Sequence, residues 1–350
     1  MYFDAHFKIL LLLALGMATA TTAGVFLFRR AWRAPSKLRA AAINLALLVA
    51  SLSGLALALE CYFSQWAIQS EGFALTLSSK RWLQTHYQWN SLGHRDAEPT
   101  PESFAGKRTL FVVGDSFAAG AGIPNQADRF SDQLAARLGP GWRVANIAVG
   151  GWHTVQELAA LKAYPHKPDA VLLSYYVNDI QHAIEARGLE YIPPFPQPPR
   201  VLRPLVDRSY LANTIYWRIQ RVKARLVKES YWDNLKRYYA DPAIWKDHAD
   251  ALAEFANYCH GNGIALYAVI FPNLLAVEES APITRRVAQH FTGLEVPVLD
   301  LTPALSGRPA AELVVSNVNS HPNEDVHRQT ANLLRELLEE HAGTSIAANP

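Results

Sequence analysis

Four short stretches of this chain carry groups suited to attack on a carbonyl carbon. They are Ser116 in Val113-Gly-Asp-Ser-Phe117, Gly151 closing Asn146-Ile-Ala-Val-Gly-Gly151, Asn178 in Tyr176-Val-Asn178-Asp179, and His321 in His321-Pro-Asn323. A serine hydroxyl is a weak nucleophile until a base removes its proton, and histidine is the usual base near neutral pH. The tetrahedral intermediate that follows carries a negative oxygen. The backbone N–H groups of Ser116 and Gly151 and the side-chain amide of Asn178 are suitable donors to it, and losing one such donor costs roughly 3 kcal/mol of transition-state stabilisation. Glycine suits position 151 because a backbone donor must approach the substrate without a Cβ in the way. Each piece alone is common; the four in this order make a set that could cleave an ester.

The elements that would position them alternate. Strand-like runs cover Thr109–Val113, Arg143–Val149, Ala170–Tyr176, Ile264–Phe271 and Pro297–Leu301. Helical patterns lie between them, at Asp128–Leu138, Thr154–Tyr164 and Pro242–His260, with a last helix over Glu324–His341. Gly139-Pro-Gly141 and Gly261-Asn-Gly263 are stop signals. Continuous apolar strands separated by helices predict a parallel sheet covered on both faces, and such a sheet presents its loops at the carboxyl ends of the strands. Ser116, Gly151 and Asn178 fall just beyond the first three strands. His321 is expected in a loop that Pro322 helps to fix.

The N-terminal part is of another kind. Residues 9–28 and 40–59 are two runs of about 20 residues without a charged side chain, long enough to span a bilayer. Between them, Arg29 to Arg39 holds five basic residues and no acidic one, which predicts a cytoplasmic turn and places everything after Glu60 outside the cytoplasmic membrane. Gly16, Ala20 and Gly24 in one run, and Ala50, Gly54 and Ala58 in the other, have the spacing that lets two helices approach closely. A rival reading takes Ile9–Ala23 as a cleaved signal peptide, against which the apolar run continues to Phe28 and ends in arginines. The sequence thus divides into a transmembrane helical hairpin (1–66), a juxtamembrane connector (67–89), a catalytic domain (90–342) and a polar tail (343–350). Within the domain, about 190–240 reads as an insertion. Ile192–Pro199 should be extended, and Tyr210–Tyr239 is helical, basic and aromatic, a pattern fitting a lid, a sugar-stacking wall, a lipid-facing surface or plain packing.

With 33 Lys and Arg against 31 Asp and Glu, the net charge of +2 and the lack of a basic stripe argue against a nucleic-acid binder. The two cysteines, Cys61 and Cys259, are far apart and lack the neighbours of a metal site or redox pair, so both are expected as free thiols. Asp115 is read as a loop-organising acceptor. His153, His182 and His327 lack a ligand spacing, and Trp152 could wall a substrate pocket.

At these residues the chain resembles the SGNH (GDSL-type) hydrolase superfamily, over about Asn90 to Leu338. The matching blocks are Gly114-Asp-Ser-Phe-Ala-Ala-Gly120, Asn146–Gly151, Asn178-Asp179 and His321-Pro-Asn323, with Asn90-Ser-Leu-Gly-His-Arg95 ahead of them. The resemblance implies a flavodoxin-like three-layer α/β/α fold, no cofactor, Ser116 as nucleophile, Gly151 and Asn178 as oxyanion donors, and His321 as base. The chain departs from the family in one respect. Its usual aspartate, two or three residues before the histidine, is replaced by Asn319 and Val318. An asparagine can fix the imidazole tautomer but supplies no charge, and the equivalent exchange in a serine protease lowers turnover by about 10⁴. Tyr176 stands where the third block usually begins with glycine.

The leading expectation is therefore a membrane-anchored, extracytoplasmic serine hydrolase acting on carboxylic esters, first among them O-acetyl groups of an envelope polysaccharide or lipid. Two alternatives stand beside it. One is an O-acyltransferase served by a membrane acyl-donor partner; the other is a catalytically inactive glycan-binding module.

Overall fold

The computed structural model describes residues 2–33, 36–191, 196–226 and 231–345. They form two compact units, one of residues 1–83 and 194–227, the other of residues 84–193 and 228–350. The segment that reads as an insertion is thereby divided between them. Its helical stretch is two helices, Tyr210–Leu226 and Tyr231–Ala240, and residues 192–195 and 227–230 lie outside the described residues.

The larger unit holds a five-stranded parallel sheet in the order β2-β1-β3-β4-β5. Its strands are β1 (Arg108–Gly114), β2 (Trp142–Ala148), β3 (Ala170–Tyr176), β4 (Ala265–Phe271) and β5 (Val298–Asp300). Because strand side chains alternate, the apolar runs supply both faces at once. Phe111, Val113, Ile147, Val171 and Leu173 pack on one side against Leu158, Leu252, Phe255, Val287 and Phe291 of the Thr154–Ala163, Pro242–Gly261 and Val277–Gly293 helices. Leu110, Val112, Val144 and Leu172 pack on the other against Phe130, Leu134, Val326 and Leu334 of the Phe130–Leu138 and Glu324–Ser345 helices. The last helix thus continues into the stretch read as a polar tail, of which residues 346–350 lie outside the described residues.

The register places the working ends together. Gly114 pairs with Ala148 of β2 and with Ser174 of β3, so β1 and β2 finish level at one edge and β3 runs two residues further. Against expectation, His321 is carried by a strand and not a loop. Antiparallel β6 (Val314–Ser316) pairs with β7 (Asn319–Pro322), Ser316 opposite Asn319 and Val314 opposite Pro322. Asn-Ser-His-Pro has little strand character of its own; pairing with the valines of β6 supplies it.

The smaller unit contains the helices Tyr2–Arg33 and Lys37–Gln65, both long and apolar enough to cross a membrane and almost wholly unburied over that stretch. They pack through small residues: a Cβ on Gly16 would lie 3.5 Å from Ser53 Oγ, and one on Gly24 3.5 Å from Ala46 Cβ. Cys61 and Cys259 are free thiols.

Candidate active site

The chain leaves β1 at Gly114, where no other residue fits. A Cβ there would lie 2.9 Å from both Cβ and the carbonyl oxygen of Ser174, and 3.0 Å from Ala118 Cβ. Successive turns follow, not a helix, and Ser116 sits at their start. Asp115 organises the turn: fully buried, it accepts from the N–H of Phe117 at 2.8 Å, and its other oxygen lies 3.3 Å from Ser116 Oγ. Burial pushes the Asp115 carboxyl up to about 6, with the donors from Phe117 and the Asn178 side chain pulling the other way. Beneath the turn, the buried Arg95 guanidinium donates to the carbonyls of Gly120 (2.9 Å) and Ile123 (2.8 Å). Arg95 belongs to the Asn90–Arg95 motif. Asn90 Oδ1 ties that loop by accepting from the N–H groups of Leu92 and His94.

β7 brings the base. His321 Nε2 lies 2.8 Å from Ser116 Oγ, and His321 Nδ1 lies 2.6 Å from Asn319 Oδ1. Residues two apart on a strand share a face, which is why Asn319 and His321 meet side by side. The amide oxygen can only accept, so it selects the tautomer with the proton on Nδ1 and leaves the Nε2 lone pair facing the serine hydroxyl. Among the described residues no carboxylate hydrogen-bonds to His321. Burial without such a partner lowers its pKa to about 4. Asn319 is itself held in place: it is 1% exposed, and its Nδ2 lies 2.6 Å from where a Cβ on Gly122 would stand.

The two remaining residues flank the serine. Gly151 is in the left-handed region at φ +84°, in a turn closed by the Trp152 N–H donating to Val149 O at 3.2 Å. The preceding Gly150 faces the nucleophile, since a Cβ on it would lie 3.6 Å from Ser116 Cβ. Asn178, two residues past β3, is 9% exposed, and its side chain lies close enough to Asp115 to pull that carboxyl's pKa down. The structure therefore brings His321 and Asp115 to Ser116, with Asn178 beside Asp115 and the Gly150–Gly151 turn against the serine. Tyr176 forms a wall: its ring stacks on Phe117 at 3.9 Å, and Phe117 in turn lies 5.4 Å from the imidazole.

Other groups were not legible from spacing. Glu157 and Asp179 are fully buried, and among the described residues both Glu157 oxygens and Asp179 Oδ1 have no hydrogen-bond partner. Burial raises both carboxyls well above the ordinary range; Asp115 raises Glu157 further, and Glu157 and Asp115 both raise Asp179 further. Glu157 lies on the helix after Gly151 and Asp179 directly follows Asn178, so the pair sits behind both flanking turns. An acidic residue on the buried face of an amphipathic helix was the available signal. The His153 and His182 rings lie 5.4 Å apart, tilted by 40°, while the buried His327 accepts from the Phe130 N–H at 3.2 Å, a packing role. Trp152 lines a cavity of about 410 Å³ with Leu92, His94, Gln156, Ala160 and Tyr164.

Solved structures similar to this chain include that of TesA, at 16% identity and a TM-score of 0.42, covering 67% of this chain and 99% of that one. Another is the psychrotrophic esterase EstA from Pseudoalteromonas sp., at 14% identity and a TM-score of 0.41, covering 68% and 100%. A carbohydrate acetylesterase family member from Sinorhizobium meliloti has 14% identity and a TM-score of 0.35, covering 67% and 99%. No curated protein matches the chain by sequence. Residues 112–329, which include all four site residues and most of the sheet, match the GDSL-like Lipase/Acylhydrolase family, and the chain belongs to that family.

Proposed function

We propose that this protein is a membrane-anchored serine esterase that cleaves carboxylic esters through an acyl-enzyme. The observation that carries the reading is the 2.8 Å contact between Ser116 Oγ and a His321 ring whose opposite nitrogen is held by Asn319. Ser116 attacks the ester carbonyl while its proton passes to His321 Nε2. The oxyanion takes donors from the Ser116 and Gly151 N–H groups and from Asn178. The imidazolium then protonates the departing alcohol, and water, deprotonated by the same ring, releases the acid. Neutral Asn319 orients the ring without stabilising its cation, so turnover should be modest compared with a carboxylate-assisted site.

The two apolar helices, almost unburied along their lengths, support a transmembrane hairpin. The basic turn between them supports an extracytoplasmic catalytic unit. An enzyme so tethered meets envelope glycans and lipids, and O-acetyl esters on them are the proposed substrates. The test is hydrolysis of p-nitrophenyl acetate against longer acyl esters by the full-length protein in detergent, with fluorophosphonate labelling, each beside Ser116→Ala. Serine-dependent turnover and labelling are expected. Equal labelling of the two proteins would refute the reading, and absence of labelling in both would favour the glycan-binding alternative. Adding a glycan acceptor reads out transfer: acetylated glycan accumulating in place of free acetate would identify an acyltransferase.

A further inference from the structure

Within the smaller unit, Glu60 is the first charged residue after the apolar run 40–59, yet it is 1% exposed. Its carboxylate accepts from Ser209 Oγ (2.7 Å) and from the N–H groups of Tyr210 (2.7 Å) and Leu211 (3.0 Å), at the start of the Tyr210–Leu226 helix. A carboxylate at a helix N-terminus is stabilised by the unpaired N–H groups there. This contact fixes the chain around 209 to the outer end of the second apolar helix. The residue before Ser209 is Arg208, and it lines an open cleft of about 390 Å³ with Arg200, Arg203, Pro204 and Asp207. Three arginines and one aspartate thus line the cleft, and among the described residues none of the three arginines forms an ion pair. Beside the cleft, Val201 (86% exposed), Leu202 (47%) and Leu205 (52%) stand in solvent. Trp66, which follows the second apolar helix, is 73% exposed, as aromatic residues at a membrane–water boundary commonly are.

We infer that the Arg200–Arg208 cleft binds the phosphate headgroup of an anionic glycerophospholipid in the extracytoplasmic leaflet. The inference rests on the reading of the two apolar helices as membrane spans. Given that reading, the Glu60 contact puts the cleft at headgroup depth, where guanidinium forks match phosphate oxygens. The neighbouring apolar side chains then enter the acyl region instead of water. The headgroup contact would seat this segment on the bilayer surface, a role separate from ester cleavage.

The full-length protein in neutral detergent, titrated with phosphatidylglycerol or phosphatidylcholine and followed by native mass spectrometry, tests this. Phosphatidylglycerol should bind more tightly, by roughly fivefold for each arginine engaged. The triple variant Arg200→Gln, Arg203→Gln, Arg208→Gln should lose that preference, and the triple Arg→Lys variant, which keeps the charge, should retain most of it. Millimolar inorganic phosphate should not displace the lipid. Equal binding of the two lipids, an unchanged Gln variant, or displacement by free phosphate would each overturn the inference. Alkaline carbonate treatment of membranes separates the two readings. Extraction of the wild-type protein would refute the hairpin and this inference together, whereas resistance combined with equal lipid binding refutes this inference alone.

Discussion

Asn319 Oδ1 lies 2.6 Å from His321 Nδ1, with both side chains on one face of β7 and no carboxylate bonded to the ring among the described residues. The imidazole is therefore oriented but electrostatically unassisted, and its pKa, lowered to about 4 by burial, follows from that.

Asn319→Asp should change both turnover and pH profile. The base must be neutral, so a pKa near 4 keeps the wild-type enzyme active well into the acid range. A carboxylate at 319 favours the imidazolium and raises its pKa by about 1–3 units. The acid limb of kcat/KM should move up by that amount, while kcat at pH 8 should rise by at least tenfold, short of the roughly 10⁴ seen for the opposite exchange in a serine protease. An unmoved limb would show that His321 is not the titrating base.

Gly122→Ala tests the support behind Asn319. The position has φ +93°, and the new Cβ would meet Asn319 Nδ2 at 2.6 Å. Backbone strain alone should cost about 1–3 kcal/mol, visible as a lower Tm. Because the displaced group orients the imidazole, kcat should fall more than KM changes. A loss of stability with unchanged kcat would mean that Asn319 tolerates displacement.

Asn178→Ala removes a donor placed next to Asp115 and Ser116. If it serves the oxyanion, kcat should drop by about 10²–10³ with little effect on KM. Fluorophosphonate labelling should slow in parallel. A change confined to KM would assign Asn178 to substrate binding.

Glu157→Gln should alter how stability depends on pH. Burial raises the folded pKa of Glu157 well above 4.5, so the folded state keeps a proton that the unfolded state releases. The unfolded state then binds fewer protons, and stability falls as pH rises above about 4.5, by about 1.4 kcal/mol per pH unit until the folded pKa is reached. Glutamine has no proton to lose, so the variant should gain Tm relative to the wild type at pH 8 and much less at pH 5. Equal shifts at the two pH values would show that Glu157 is ionised in the folded protein.

Much of this protein was legible in its residues because the information is local. Apolar runs of strand length, glycines at stop positions and helical periodicity gave five strands and four helices to within a few residues, while the Val277–Gly293 helix between β4 and β5 was not read. A parallel sheet then places Ser116, Gly151 and Asn178 at one edge, since each follows its strand by two or three positions. His321 was legible only as a chemical type in a family-like block. Its approach to Ser116 depends on β7, whose residues have little strand preference and pair only because β6 is there. The replacement of a charged partner by Asn319 could be read directly, but whether another carboxylate stood in for it could not. That question concerns residues distant in sequence, and packing answered it by burying the ring with no carboxylate bonded to it among the described residues. Glu157, Asp179 and the Glu60 contact were hidden for the same reason: whether a carboxylate is buried depends on what the rest of the chain lays over it, and only the folded chain determines that.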